Sequence, residues 1–276
     1  MNRICTILCL AVFATTTASA ATWATIDVPG ALATTVYGLN SGGDLVGSYD
    51  DSQTTHCFRL SAGVYTTIDV PGSLTTYCTG INDLGQIAGS YQDAQFVHHG
   101  FLLDGATFTT IDPPGSLLTV TGQINNSTQI AGFYIDATHI HGFKWDNGFF
   151  TVIDDLAGTD SEALGINNKG DIGGFYFKQD GTESGFVRIN GSDRDFVYPG
   201  SAGTEVWAIN DRRQVAGGAF TNSGRSVGFS FAGGRFQALQ YPLAKNTAAY
   251  GMDNNGNVVG YYEDAGGKIH GFLRTR

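Results

Sequence analysis

The chain has 276 residues, a formal net charge of −10, 42% hydrophobic residues and only 14% charged ones. That composition excludes a disordered, collagen-like or charge-block chain, and its sign disfavours nucleic acid and anionic lipid as partners. Glycine is abundant, at 39 residues, so many positions must require the absence of a Cβ.

In chain order, residues 1–20 read as a secretory signal peptide. A single Arg3 precedes an apolar run, "ICTILCLAVFA", too short to span a bilayer. Ala18-Ser19-Ala20 then has the small-x-small form of a cleavage site. The competing reading is a membrane anchor. Cys9 follows Leu8, where a lipoprotein signal wants a small residue, so no lipidation is expected. Export to the periplasm or outside the cell follows, with no membrane insertion. Removing the segment takes away one basic residue and no acid, and the net charge becomes −11. Cys5 and Cys9 leave with it. Cys57 and Cys78 remain, as a disulfide or as two buried thiols, since spacing alone does not define the geometry.

The rest, residues 21–276, is expected to be one domain. "TIDVPG" at 25–30 recurs at 67–72, and "TIDPPG" follows at 110–115. An Asn column runs Asn40, Asn82, Asn125, Asn167, Asn210, Asp253; seven residues later come Gly47, Gly89, Gly132, Gly174, Gly217 and Gly260. Phe58, Phe101, Phe143, Phe186, Phe229 and Phe272 form a third column, so there are six repeats of 42–43 residues. The second repeat reads as strand a "YCTGIN", strand b "QIAGSY", strand c "HGFLL" and strand d "TFTTID", with Gly-containing turns between a and b and between c and d. The Asn column is expected to close the a–b turn with its side chain. Strand b alternates large residues (Leu45, Ile87, Ile130, Ile172, Val215, Val258) with mostly smaller ones (Val46, Ala88, Ala131, Gly173, Ala216, Val259). Such sheets must stack on one another, and the glycine column is expected to serve that stacking.

The N-terminal "ATWATIDVPG" is a d strand with no a, b or c before it, and the last repeat has a, b and c but no d. The first strand therefore completes the last sheet and latches a ring. The expected fold is all-β, a six-bladed β-propeller of four-stranded blades. An open β-solenoid is the competing architecture, but it would need polar capping repeats.

The stretches "GINDLGQIAGSY" and "HHGFLLDGATFTTIDPPG" resemble the HAF family of extracellular repeats, along the whole chain after residue 20. The fourth and fifth repeats depart from it with Ser184 and Val227 where others have His, and the first has Cys57 where others have Gly. The resemblance implies export and repetition, and brings neither an activity nor catalytic residues. The a–b turn is similar, more weakly, to that of six-bladed NHL-type propellers.

Candidate chemistry is sparse. His56, His99, His141 and His270 open strand c in four blades, with His98 and His139 beside two of them. Strand c lies third from the axis, so these are expected to bond within their own blades rather than share a metal. Asp27, Asp69, Asp112 and Asp154 end d strands, with Val197 and Gln240 in the other two repeats; a carboxylate before x-Pro-Gly is expected to accept bonds in its own turn. Thr34, Thr76, Thr119, Ser161, Thr204 and Thr247 open every strand a, a regularity that points to a structural bond. No nucleophile elbow, phosphate loop, dinucleotide fingerprint or C-x-x-C pair occurs. No catalytic residue, cofactor or metal is therefore assigned.

Function should break the symmetry. At the start of strand a, the regular columns give way to Thr35, Tyr77, Val120, Glu162, Glu205 and Ala248. Two residues on they give way to Tyr37, Thr79, Gly122, Leu164, Trp207 and Tyr250. Tyr77, Glu162, Glu205, Trp207 and Tyr250 are the candidate binding residues, since carboxylates beside aromatics can take a sugar or a cation or act as an acid/base pair. The bland alternative is two solvated glutamates at a rim. The leading expectation is a monomeric, non-catalytic binding module for a glycan, protein or small molecule. A propeller hydrolase or lyase at the channel mouth is the alternative, and a structural surface or matrix protein the third. Tightly held axial metal would favour the enzyme, and saturable binding the module.

Overall fold

The computed structural model describes residues 21–154 and 160–276; residues 1–20, expected to be a signal peptide, lie outside them. Twenty-four strands form six antiparallel four-stranded sheets arranged as a six-bladed β-propeller, with no helix among the described residues. Blade 1 comprises Ala33–Leu39, Leu45–Asp50, Thr55–Ser61 and Val64–Ile68, as strands a to d outward from the axis. Blades 2 to 5 repeat this order, starting at Thr75, Leu118, Ser161 and Gly203. Blade 6 takes strands a to c from Asn246–Met252, Val258–Glu263 and Ile269–Thr275, and its d strand from Thr22–Ile26 at the other end of the chain.

That latch is a full ladder, from Thr22 opposite Thr275 to Ile26 opposite Gly271. Trp23 packs edge-on against Phe272 and Tyr241, ring centroids 5.0 and 5.3 Å away. The Thr25 hydroxyl lies 2.8 Å from the Tyr241 hydroxyl and 3.0 Å from that of Tyr262.

The core is a set of inter-blade seams. Val46 and Cys57 of blade 1 meet Cys78, Ile81, Ile87 and Phe101 of blade 2. Ala88 and Ile111 of blade 2 then meet Ile124, Ile130 and Phe143 of blade 3. The pattern continues around the ring until Val259 of blade 6 meets Val36, Leu45 and Phe58 of blade 1. The small face of each strand b thus receives the large face of the next. Five of the six Phe side chains are fully buried and Phe186 is 3% exposed. Burying one such side chain contributes roughly 1.5–3 kcal/mol. Cys57 and Cys78 are joined by a disulfide, Cα atoms 5.2 Å apart, which ties strand c of blade 1 to strand a of blade 2.

The Gly47–Gly260 column has a different cause from the stacking expected of it. A Cβ on Gly174 would meet the Glu162 carbonyl of its own strand a and lie 2.7 Å from Phe186 of its own strand c. The glycine makes room for the phenylalanine inside the blade. Close approach between blades falls instead to the column one place before the large residue of strand a. A Cβ on Gly38 would lie 3.0 Å from the Cα of Gly80, and one on Gly80 2.9 Å from the Cα of Gln123.

The Asn column closes its turns as expected: Asn82 Oδ1 accepts from the N–H groups of Leu84 and Gln86 at 3.0 Å. Its amide group does a second job. Asn82 Nδ2 donates to Asn125 O at 3.0 Å, Asn125 to Asn167 O at 2.9 Å, Asn167 to Asn210 O at 3.1 Å and Asn210 to Asp253 O at 2.9 Å. These bonds run blade to blade around the axis. Asp253 has no amide to continue them.

Candidate functional site

Strand a slips one residue against strand b in every blade. The slip falls between Val36 and Gly38, Cys78 and Gly80, Ala163 and Gly165, Val206 and Ala208, and Ala249 and Gly251, and between Thr121 and Ile124 in blade 3. The extra residue of such a bulge is unpaired, and its side chain is re-aimed. Tyr37, Thr79, Leu164, Trp207 and Tyr250 occupy the bulges, with Gly122 and Gln123 in blade 3. These are the irregular positions of the sequence. Tyr37, Thr79, Gly122, Gln123, Leu164 and Trp207 line a cavity of about 240 Å³ at the channel mouth, completed by Tyr77, Val120, Phe133, His98 and neighbouring hydroxyls.

Gln123 forms the floor. It replaces the Gly or Ala of the other repeats, and its amide nitrogen donates to Tyr37 O and Thr79 O at 2.9 Å and to Tyr250 O at 3.4 Å. One side chain from blade 3 thereby spans to blades 1, 2 and 6. Beyond it, at the a–b turns, lies a smaller polar cavity of about 80 Å³ ringed by Asn and Asp side chains.

The five predicted residues do not form one wall. Tyr77 and Trp207 line the cavity. Tyr250 lies between Trp207 and Tyr37, ring centroids 4.5 and 5.0 Å away. Glu205 buttresses the indole: Trp207 Nε1 donates to its Oε2 at 2.7 Å. Glu162 and Glu205 are partly buried, not the solvated rim pair of the bland reading. Burial, then the charges of Glu205 and Glu183, push the Glu162 carboxyl up to about 8. Burial raises Glu205 to about 7 against the lowering effect of the Trp207 bond. Burial likewise pushes Tyr37 to about 12. The candidate list left out Tyr37 and Leu164, although both stand in the irregular column, as well as His98, Phe133 and Gln123; Gln123 carries its own sequence signal, a long polar residue in a Gly/Ala column.

His98 lines the mouth cavity, whereas the four column histidines make their bonds within their own blades. His56 Nδ1 meets Asp69 at 2.8 Å, His99 meets Asp112 at 2.7 Å, His141 meets Asp154 at 3.2 Å and His270 meets Asp27 at 2.8 Å. Each Nε2 faces a second aspartate of the b–c loop (Asp51, Asp93, Asp136 or Asp264) at 3.3–3.4 Å. Each ring stacks on a tyrosine of strand b, with centroids 5.0–5.1 Å apart. This corrects the expectation for Asp27, Asp69, Asp112 and Asp154: their main partner is the imidazole, not their own turn. Burial opposes charge on His56 and His99, but the flanking aspartates outweigh it and hold both above the ordinary imidazole value. Among the described residues, no group of three His, Cys, Asp or Glu is arranged to hold a metal ion. The hydroxyl column is structural: Thr34, Thr76, Thr204 and Thr247 accept from loop N–H groups at 3.0–3.2 Å, whereas Pro113 has no N–H to offer Thr119.

No family model and no curated protein matches this chain. Solved structures share its fold. A mutant of the Aleuria aurantia lectin in complex with a fucoside superposes with a TM-score of 0.56 at 14% identity, over 89% of this chain and 93% of that one. TolB from Acinetobacter baumannii gives 0.60 at 11%, over 90% of this chain and 65% of that one. The putative TolB from Agrobacterium tumefaciens gives 0.60 at 14%, over 87% and 89%. At these identities the likeness defines a class by fold, the six-bladed β-propellers. Among the described residues no helix is long and apolar enough to cross a membrane.

Proposed function

We propose that this chain is an exported binding module whose ligand enters the channel mouth. The observation that carries the reading is the mouth cavity itself. A bulge in every blade holds side chains that differ around most of the ring, above a floor formed by Gln123. A rigid scaffold with variable residues facing one concave site is how propellers and other repeat folds build binding sites. The Aleuria lectin structures, solved with a fucoside and with a fucosylated GlcNAc, support a binding use of this fold, so glycans belong among the ligands to be screened. The test is a screen of glycans and small molecules by calorimetry against the intact chain and Trp207→Ala. A hit that loses at least tenfold in affinity in the variant supports the mouth. Hits that bind Trp207→Ala unchanged would move the site elsewhere.

A second reading rests on Glu162. A carboxyl raised to about 8 beside one raised to about 7 is matched to proton transfer near neutral pH. Hydrolysis or elimination abolished by Glu162→Gln, with a bell-shaped pH profile, would establish a hydrolase or lyase instead.

A further inference from the structure

We infer that the mouth cavity takes an uncharged, flat, largely apolar molecule of one or two rings, in preference to a bare sugar or an ion. This rests on the reading of the mouth as a ligand site and names the ligand's chemistry.

Size comes first. A dry apolar cavity of roughly 150 Å³ holds a benzene ring, so about 240 Å³ has room for a second fused ring. Tyr37, Tyr77, Phe133 and Trp207 supply aromatic surface, and Val120 and Leu164 aliphatic surface.

The polar groups in the wall are already committed to the protein. The Thr79 hydroxyl donates to Gly122 O at 2.8 Å, and the Thr121 hydroxyl to Gly89 O at 2.7 Å. Ser90 Oγ accepts from the N–H of Thr121 at 3.1 Å. The Gln123 amide nitrogen is spent on Tyr37 O and Thr79 O, and three surrounding carbonyls fix which way the amide faces. Among the described residues, what remains is the Tyr77 hydroxyl, Gln123 Oε1, the Ser90 O–H and Nδ1 of His98, whose Nε2 meets the Gln92 amide at 3.3 Å. These are fewer than the hydroxyls and ring oxygen of a sugar. A sugar would bury several hydroxyls without partners, at roughly 1–3 kcal/mol each.

Charge is excluded in the same way. No Lys or Arg lines the cavity. Burial, then the neighbouring His99, lowers the His98 imidazole towards its neutral form. The one carboxylate bonded to a lining side chain, Glu205, is taken up by the Trp207 indole N–H. Neither an anion nor a cation finds a free counter-charge.

Calorimetry with 2-naphthol, 2-naphthoate and methyl α-L-fucoside tests the inference on the intact chain. The expected result is saturable binding of 2-naphthol with a negative heat-capacity change, at least tenfold weaker binding of 2-naphthoate, and none of the fucoside in the cavity. Val120→Phe, which fills the space, should weaken 2-naphthol at least tenfold without lowering the melting temperature. Tyr77→Ala serves if that variant does not fold. Equal binding of 2-naphthoate, or no binding of 2-naphthol, overturns the ligand class. A saccharide whose binding Val120→Phe abolishes overturns the class but leaves the mouth as the site. A screened ligand indifferent to both variants overturns the reading of the mouth itself.

Discussion

Gly174 shows how one residue carries a blade. Its missing Cβ leaves space for the Phe186 ring, and the same pairing recurs as Gly89 with Phe101 and Gly217 with Phe229. Gly174→Val should lower the urea midpoint by an amount equivalent to roughly 1–3 kcal/mol or more, while Gln179→Val in the exposed b–c loop should leave it in place. Equal midpoints would remove the packing explanation. Glu162 and Glu205 make a second prediction. Their folded-state values, about 8 and about 7, lie above the ordinary glutamate value, so the folded state binds more protons than the unfolded one in between. That stability is fully present below about pH 4.5 and is lost as pH rises through about 7 to 8. His56 and His99, also raised, act in the same direction. The melting temperature should therefore fall between pH 5 and pH 9, and a Glu162→Gln, Glu205→Gln variant should fall less steeply. An unchanged slope would show that these carboxyls titrate as they do in water.

At the scale of elements, the a–b turns hold the ring together by a ladder that also defines each turn. Asn125 Oδ1 accepts from Ser127 and Gln129, while its Nδ2 reaches Asn167 O of the next blade. Asn125→Asp keeps the first function and removes the second, as Asp253 does naturally. It leaves a carboxylate oxygen facing a buried carbonyl, and should cost about 1–3 kcal/mol by thermal or denaturant unfolding. A neutral effect would mean that the seams alone hold adjacent blades. The outer rim follows another logic. The Asp–His–Asp sets occur in blades 6, 1, 2 and 3, and blades 4 and 5 lack both partners, with Ser184 and Val227 for His and Val197 and Gln240 for Asp. That co-occurrence is written in the sequence; the pairing it implies needed the antiparallel c–d ladder to become visible.

For the whole molecule, the closure by Thr22–Ile26 decides whether the ring is a ring. Its strand pairs along the length of the last c strand, and Asp27 reaches His270 at its end. Deleting residues 21–29 should expose the edge of blade 6, lower the melting temperature and promote aggregation, because an unpaired edge recruits other chains. A truncated chain that stays monomeric and melts with the intact one would show that the blades need no latch.

The repeat length, the four strands per blade, the missing terminal d strand and the columns of Asn, Gly and Phe were all legible in the sequence. Each is a local pattern imposed six times, so a physical requirement shows as recurrence. Recurrence also marked the mouth, by failing there. Tertiary structure alone decided what fills it. The bulge that turns Tyr37, Trp207 and Tyr250 is a relation between two strands. Gln123 bonds to carbonyls 86 and 127 residues away in the chain. For Glu162 and Glu205 the sequence left a binding pair and a solvated pair both open, and packing removed their water. Register, reach across an axis and desolvation depend on which distant residues meet, and a single chain of letters does not contain those distances.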